Sequence, residues 1–213
     1  MLPPSETTEL NVVIVDDHVA LRRGMELLLR RAGHHVVGTA DDAEAGEALI
    51  LRRKPDVALV DLALPGMSGA ELTRSLLKED PRVRIILYTG AADERQLLDA
   101  LDAGAAGLAL KSGDPEELEQ AILTVAGGGD YLDPRLTPLL ARGANGGNKT
   151  LSPREREILG LLSKGLSGED AANQLFLSPE TVRTHVRNAM TKLGAATRAH
   201  AVALALQRGE ISA

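Results

Sequence analysis

The chain has 213 residues, a net charge of −6 and a hydrophobic fraction of 44%, which is enough apolar material for one large or two small domains. It contains no cysteine, so disulfides, thiolate metal sites and cysteine nucleophiles are excluded. The first ten residues lack the basic and apolar regions of a signal peptide, and no apolar run approaches the roughly 18 residues that span a bilayer, so we expect a soluble, cytoplasmic protein without membrane partners.

The front of the chain alternates short apolar runs with segments of helical periodicity, the pattern of a parallel sheet covered by helices. Strands are predicted at 11–15, 35–39, 57–60, 83–88 and 106–110. Helices are predicted at 19–32, 42–53, 69–79, 92–103 and 115–126. Five such units favour an α/β fold, a flavodoxin-like, doubly wound, five-stranded parallel sheet with its site at the carboxyl edge.

Chemically distinctive side chains stand where these strands end. Asp16 and Asp17 end the first strand, and Asp61 ends the third. Thr89 and Lys111 end the fourth and fifth. Because the carboxyl ends of parallel strands meet in one crevice, three carboxylates would converge there and would require a hard divalent cation, for which Mg²⁺ is the natural choice. Acids, a hydroxyl and an ammonium together predict a pocket for a phosphoryl group.

Residues 11–126 resemble the receiver domain of two-component response regulators. The resemblance is carried by Asp16-Asp17, by Asp61 with the following loop Pro65-Gly66-Met67-Ser68-Gly69, by Thr89 and by Lys111. It implies that Asp61 accepts a phosphoryl group from a sensor histidine kinase, and that Thr89 and Lys111 bind that group. It also implies Mg²⁺ ligands, with Asp17 in direct contact and Asp16 acting through water: Asp16, Asp17, Asp61 and the carbonyl of Ala63.

Two positions leave alternatives open. Many receivers carry an aromatic residue where this chain has Leu108, so a front domain that acts as a phosphorylation-independent protein-interaction module remains an alternative. Phosphatases with an aspartate nucleophile commonly carry a second acid two residues later, where this chain has Ala63, so we expect no enzyme.

Tyr88 precedes Thr89 and should point to the opposite face of the sheet. The five histidines lack metal-ligand spacing.

The composition changes after Ala126. Residues 9–129 are assigned to the receiver, 130–149 to a linker that begins with a possible short helix at Asp133-Pro134, and 150–213 to a separate domain. Residues 1–150 carry 16 basic and 24 acidic residues, whereas 151–213 carry 8 basic and 6 acidic ones. The weak positive excess of the tail hints that the tail contacts a polyanion.

The tail is predicted to be a small all-α, four-helix domain. Its helices begin near Ser152, Ser167 and Ser178, with a fourth at about 196–207, and a short turn at 176–177 makes a helix-turn-helix. On the third helix, 179–193, apolar residues recur at spacings of three and four on one face. The opposite face presents Arg183, Thr184 and Arg187, as a recognition helix presents to the major groove.

Residues 151–207 resemble a LuxR-type DNA-binding domain. The shared elements are 151–155, 165–167, 177–182, His185-Val186 and 192–194. The resemblance implies base contacts by Arg183, Thr184 and Arg187 and phosphate contacts by Thr181, His185 and Lys192. Together the two halves resemble response regulators of the NarL/FixJ class, which implies a phosphorylation-dependent transcriptional regulator that binds double-stranded DNA as a homodimer. On the fourth helix an apolar stripe serves either dimerisation or the tail's own core: Ala199, Val202, Ala203 and Leu206.

Overall fold

A computed structural model describes residues 9–90, 93–140 and 150–212. Its single sheet has six parallel strands in the order β2-β1-β3-β4-β5-β6. The strands are β1 (Asn11–Val15), β2 (His35–Ala40), β3 (Val57–Asp61), β4 (Ile85–Thr89), β5 (Gly107–Leu110) and β6 (Tyr131–Leu132). The predicted parallel sheet is confirmed, but five strands was one too few. The sixth, two residues long, lies in a segment that the sequence had placed in the linker.

Helices cover both faces of this sheet. They are α1 (Val19–Arg31), α2 (Ala43–Arg53), α3 (Gly69–Glu79), α4 (Glu94–Asp102) and α5 (Pro115–Ala126). Their starts follow from local chemistry: in α3 the Ser68 hydroxyl accepts from the Glu71 amide at 3.2 Å while the Glu71 carboxylate accepts from the Ser68 amide at 2.8 Å. This capping box satisfies amides that the first turn leaves unpaired.

Alternation along the strands divides the core into two layers. Val12 and Ile14 of β1 pack in the layer that includes residues of α1 and α5, whereas Val13 and Val15 pack in the layer that includes residues of α2, α3 and α4. Every residue of β1 except Asn11 is fully buried. Which layer a side chain joins is therefore set by its position along the strand, and the same rule decides where the residues at the strand ends point.

The C-terminal part is all helical, as predicted. After β6 come a 3₁₀ turn (Pro134–Leu136) and α6 (Thr137–Leu140), and then α7 (Pro153–Leu162), α8 (Gly168–Gln174), α9 (Pro179–Leu193) and α10 (Arg198–Gln207). The possible short helix after Asp133 is thus present, while residues 141–149 lie outside the described residues. In the part of the chain that the structure describes, no helix is both long and apolar enough to cross a membrane.

The two halves of the chain pack against each other. α10 contacts α4 of the front domain and α6, and its apolar stripe is buried within the chain. The Arg198 amide donates to the Asp130 carboxylate at 2.7 Å, and the Thr137 hydroxyl donates to the Ser163 carbonyl at 3.1 Å. Burial raises the pKa of Asp130, although Arg198 opposes the shift. The α10 stripe therefore serves packing inside the chain in this arrangement.

Gly69 and Gly24 make a matched test of the packing beneath the β3–α3 loop. A Cβ at Gly69 would lie 2.3 Å from the Asp61 carbonyl oxygen, whereas a Cβ at exposed Gly24 in α1 meets nothing within 4 Å. We expect Gly69→Ala to destabilise the protein by about 1–3 kcal/mol through this clash, and Gly24→Ala to stabilise it by about 0.5–1 kcal/mol. The measurement is the urea midpoint of each variant, and equal midpoints for the two would contradict the packing described.

Candidate functional site

Four side chains at the carboxyl edge of the sheet point to the same face because of strand alternation. Asp16 lies two residues after Ile14, Asp61 two after Leu59, Tyr88 two after Ile86 and Lys111 two after Ala109. All four of those apolar residues pack in the layer that includes α1 and α5. A period of two therefore carries these acids, the phenol and the ammonium to one place above that layer.

Asp61 is the buried carboxylate at the centre of this group, only 1% exposed. Its Oδ2 accepts from the Lys111 ammonium at 2.6 Å, and its Oδ1 accepts from the Ala63 amide at 3.1 Å. Lys111 is itself largely buried, with 13% of its side chain exposed. A buried charge is tolerated only when it is paired and hydrogen-bonded, and this pair satisfies both conditions.

Asp16 is fully buried and shares the same ammonium. Its Oδ2 lies 2.9 Å from Lys111 Nζ and also accepts from the Tyr88 hydroxyl, while its Oδ1 accepts from the His18 amide at 2.7 Å. Burial alone would raise the pKa of Asp16, but the hydrogen bonds from Tyr88, Lys111 and the His18 amide outweigh it and lower that pKa. Asp16 is therefore an anion held in one orientation by donors on both oxygens.

Tyr88 is the site residue that sequence reasoning missed. Its side chain points to the face of the sheet opposite Thr89, as expected. This opposite face is the one on which Asp16, Asp61 and Lys111 lie. Burial and the hydrogen bond to Asp16 raise the pKa of Tyr88 far above its usual value, so the hydroxyl remains a donor. The Lys111 Nζ also lies 4.9 Å from the centre of the Tyr88 ring, within cation–π range. Following every second residue to the end of each of the four strands would have found this contact.

Asp17 and His18 complete the cluster on its solvent side. One ligand atom from each of Asp16, Asp17, His18 and Asp61 lies within 4.8 Å of the others. The Nδ1 atom of His18 is 2.6 Å from Asp17 Oδ1 and 3.9 Å from Asp61 Oδ2. Three carboxylates, two of them buried, offer the oxygen donors that Mg²⁺ prefers, so these residues fit that ion. His18 lies closer to the acids than its lack of metal-ligand spacing indicated.

Thr89 is buried at the end of β4, 3% exposed. Its carbonyl accepts from the Lys111 amide at 2.8 Å, which fixes the end of β5 beside the end of β4. By alternation its side chain lies on the face that carries Leu87. Leu108, where many receivers have an aromatic residue, is 1% exposed within that same layer.

A second candidate surface is the outer face of α9. Arg183, Thr184 and Arg187 are exposed, while Val182 and Val186 on the opposite face are buried. The Arg183 Nε donates to the Glu180 carboxylate at 2.9 Å, a pair too exposed to contribute much stability. Thr181 and His185, on the flanks, are partly buried. The face is open to solvent in this arrangement and has the donors of a recognition helix.

Lys192 stands apart from the other residues predicted to contact DNA. Its ammonium lies 2.8 and 2.9 Å from the two carboxylate oxygens of Glu155, which is 3% exposed. Glu155 also accepts from the Ser152 amide at 2.7 Å and so caps α7. Lys192 thus joins α9 to the start of α7, and its charge already has a partner within the chain.

The chain resembles known proteins over nearly all of its length. Residues 12–123 match the family described as the response regulator receiver domain, and residues 149–205 match bacterial regulatory proteins of the luxR family. The chain is 37% identical over 205 residues to a protein of Mycobacterium tuberculosis named probable transcriptional regulatory protein NarL, covering 94% of this chain and 95% of that one.

Two further relatives are informative about the tail. A Mycobacterium tuberculosis protein named DNA-binding transcriptional activator DevR/DosR is 35% identical over 205 residues, covering 93% of this chain and 94% of that one. A solved structure of the two-component response regulator RcsB–DNA complex is 27% identical, with a TM-score of 0.58, and covers 94% of this chain and 99% of that one.

Replacing Lys192 or Arg187 separates a structural role from a surface role on α9. We expect Lys192→Met to destabilise the protein by about 1–3 kcal/mol, because it leaves the Glu155 carboxylate buried without its cation, whereas exposed Arg187→Met changes stability by less than about 0.5 kcal/mol. Hydrogen bonds from Lys192 and the Ser152 amide outweigh burial and hold the pKa of Glu155 below its usual 4.5. The destabilisation by Lys192→Met is therefore fully present above pH 4.5 and is lost as the pH falls through the lowered pKa. Urea unfolding at pH 7 and pH 4 measures the loss of stability in each variant. Equal losses for Lys192→Met and Arg187→Met would refute the structural role of Lys192.

Proposed function

The chain belongs to the response regulators that join a receiver domain to a LuxR-type DNA-binding domain, and from this membership we propose that it regulates transcription through phosphorylation of Asp61. The observation that carries the proposal is the contact of one buried ammonium, Lys111, with the two buried carboxylates of Asp61 and Asp16. That arrangement places a cation beside the oxygen that would receive phosphorus. It supports a phosphoryl acceptor over a phosphorylation-independent interaction module.

In the proposed reaction a carboxylate oxygen of Asp61 attacks the phosphorus of a phosphohistidine on a sensor kinase. A new O–P bond forms, the P–N bond breaks, and the imidazole leaves with the bonding electron pair and takes up a proton from solvent. The Ala63 amide orients the carboxylate through Oδ1. The Lys111 ammonium stands where negative charge develops, and Thr89, at the end of the next strand, would bind the transferred group.

Asp16, Asp17, Asp61 and the carbonyl of Ala63 would hold Mg²⁺. When bound, the ion neutralises part of the charge on the acids and on the phosphoryl oxygens. Lys111 contacts both buried acids as well. Burial of Asp16 and Asp61 also limits the access of water to the acyl phosphate that forms.

The tail supplies the output in this proposal. Arg183, Thr184 and Arg187 would read bases in the major groove, and Thr181 and His185 would contact phosphates. Lys192 would also contact phosphate, with a side chain that is 40% exposed and an ammonium paired with Glu155. Two half-sites would be bound by a homodimer. The DNA-bound structure of RcsB and the name of the DevR/DosR relative support DNA as the partner.

Contacts between the halves suggest how phosphorylation would reach the tail. α10 lies against α4 and α6. β5, which ends beside Lys111, is joined to Asp133, the residue after β6, because the Leu110 amide donates to the Asp133 carboxylate at 3.3 Å. A change at Asp61 would alter the position of Lys111 and hence the β5 end, which biases this interface between closed and open arrangements.

Asp61→Asn tests the acceptor directly. We expect it to abolish the mass increase of one phosphoryl group that acetyl phosphate and Mg²⁺ produce in the wild type, because the amide cannot act as the nucleophile. Intact-protein mass spectrometry provides the measurement, with Asp56→Asn, an exposed acid before β3, as the matched control. Phosphorylation that persists in Asp61→Asn would refute the assignment.

Arg187→Ala tests the DNA interface. On duplexes that the wild type selects from random sequence, we expect a loss of about tenfold or more in affinity, with a smaller loss on unselected DNA, because a base contact is worth about 1–3 kcal/mol. Lys78→Ala, which removes the same charge from an exposed position on α3, should leave both affinities unchanged. Equal losses from the two substitutions would mean that only overall charge matters.

A further inference from the structure

The Asp16 carboxylate has two donors on a single oxygen, and this crowding is unexplained by the proposed chemistry. Its Oδ2 accepts from the Tyr88 hydroxyl and from the Lys111 ammonium, which lies 2.9 Å away. Asp16 is fully buried, so water cannot easily replace a donor that leaves. An anion in such a place costs considerable free energy if it loses its partners.

Lys111 contacts two carboxylates at once. It lies 2.6 Å from Asp61 Oδ2 and also contacts Asp16. On the proposed function, on which this inference rests, Lys111 must turn toward the phosphoryl oxygens once phosphorus is attached to Asp61. That movement removes the ammonium from Asp16 Oδ2. It is favourable only if Oδ2 of Asp16 retains another donor, because the His18 amide satisfies only Oδ1.

We propose that Tyr88 is a positioning residue whose hydroxyl stays on Asp16 and so frees Lys111 to serve the phosphoryl group on Asp61. The hydroxyl keeps one donor on Oδ2 as the lysine moves. The ring, whose centre lies 4.9 Å from Lys111 Nζ, favours the cation wherever it lies over the ring face. Tyr88 therefore acts through Lys111 and Asp16, without touching the phosphoryl group.

A purely structural role predicts something different. Tyr88 is 2% exposed and packs among apolar residues of the layer that includes α1 and α5. If it only filled that volume, phenylalanine would replace it with little loss. If its hydroxyl only oriented Asp16 toward the cation, Tyr88→Phe would weaken Mg²⁺ binding, and excess Mg²⁺ would restore the reaction.

The test compares the chain's two tyrosines. Tyr131 pairs with Gly107 at the far end of β5, roughly 13 Å along the strand from Lys111, so Tyr131→Phe is the matched control. At saturating Mg²⁺ we expect Tyr88→Phe to lower the maximal rate of phosphorylation by acetyl phosphate about tenfold and to weaken beryllofluoride binding, measured by titration calorimetry, by a similar factor. Mg²⁺ affinity should change less than about threefold, and Tyr131→Phe should match the wild type.

A Tyr88→Phe protein with wild-type rate and beryllofluoride affinity would overturn the proposal, and so would a defect that rising Mg²⁺ concentration removes. These results differ from failure of the proposed function, in which the wild type itself would not be phosphorylated at Asp61.

The Tyr131→Phe protein adds a direct readout, because Tyr88 is then its only tyrosine and the chain has no tryptophan. Its emission, quenched by the bond to a carboxylate, should stay quenched when beryllofluoride binds; a large increase would show that the hydroxyl leaves Asp16.

Discussion

The ammonium of Lys111 between two buried carboxylates is the interaction on which the rest of the site depends. Asp16 and Asp61 are almost completely removed from water, and two anions so placed would repel each other strongly without a cation between them. Lys111 supplies that cation from the end of β5, and the amides of His18 and Ala63 and the Tyr88 hydroxyl satisfy other positions on the carboxylates. The charges of the cluster are therefore paired as folded. One added anion or cation would change which carboxylate Lys111 contacts.

Much of this arrangement could be predicted from the sequence because two simple rules govern it. Parallel strands bring their carboxyl ends to one edge, which placed Asp16, Asp17, Asp61 and Lys111 together, with Thr89 at the same edge but on the other face of β4. Serine or aspartate followed three residues later by a glutamate or aspartate marked the helix starts of the tail, where Ser152 and Ser167 cap as expected. Both rules are local, so they need no knowledge of distant contacts.

The features that sequence reasoning missed depend on contacts between distant segments. Tyr88 reaches Asp16 across 72 residues of chain, and only the combined register of β1, β3 and β4 places them on one face. Lys192 looks like a free cation on its own helix, but Glu155 from another helix binds it. The strand β6 is two residues long and carries too weak a pattern to be distinguished from a linker, because its pairing with β5 defines it.

α10 packs against α4 and α6 and also against α9, so we expect chemistry at Asp61 to change DNA binding. The most direct measurement is the DNA affinity of the full chain with and without acetyl phosphate and Mg²⁺, made in parallel on the wild type and on a protein without the Asp61 carboxylate. We expect the affinity to change at least about fivefold in the wild type only, the usual size of a coupling between two sites. The same affinity in the phosphorylated and unphosphorylated wild type would contradict it.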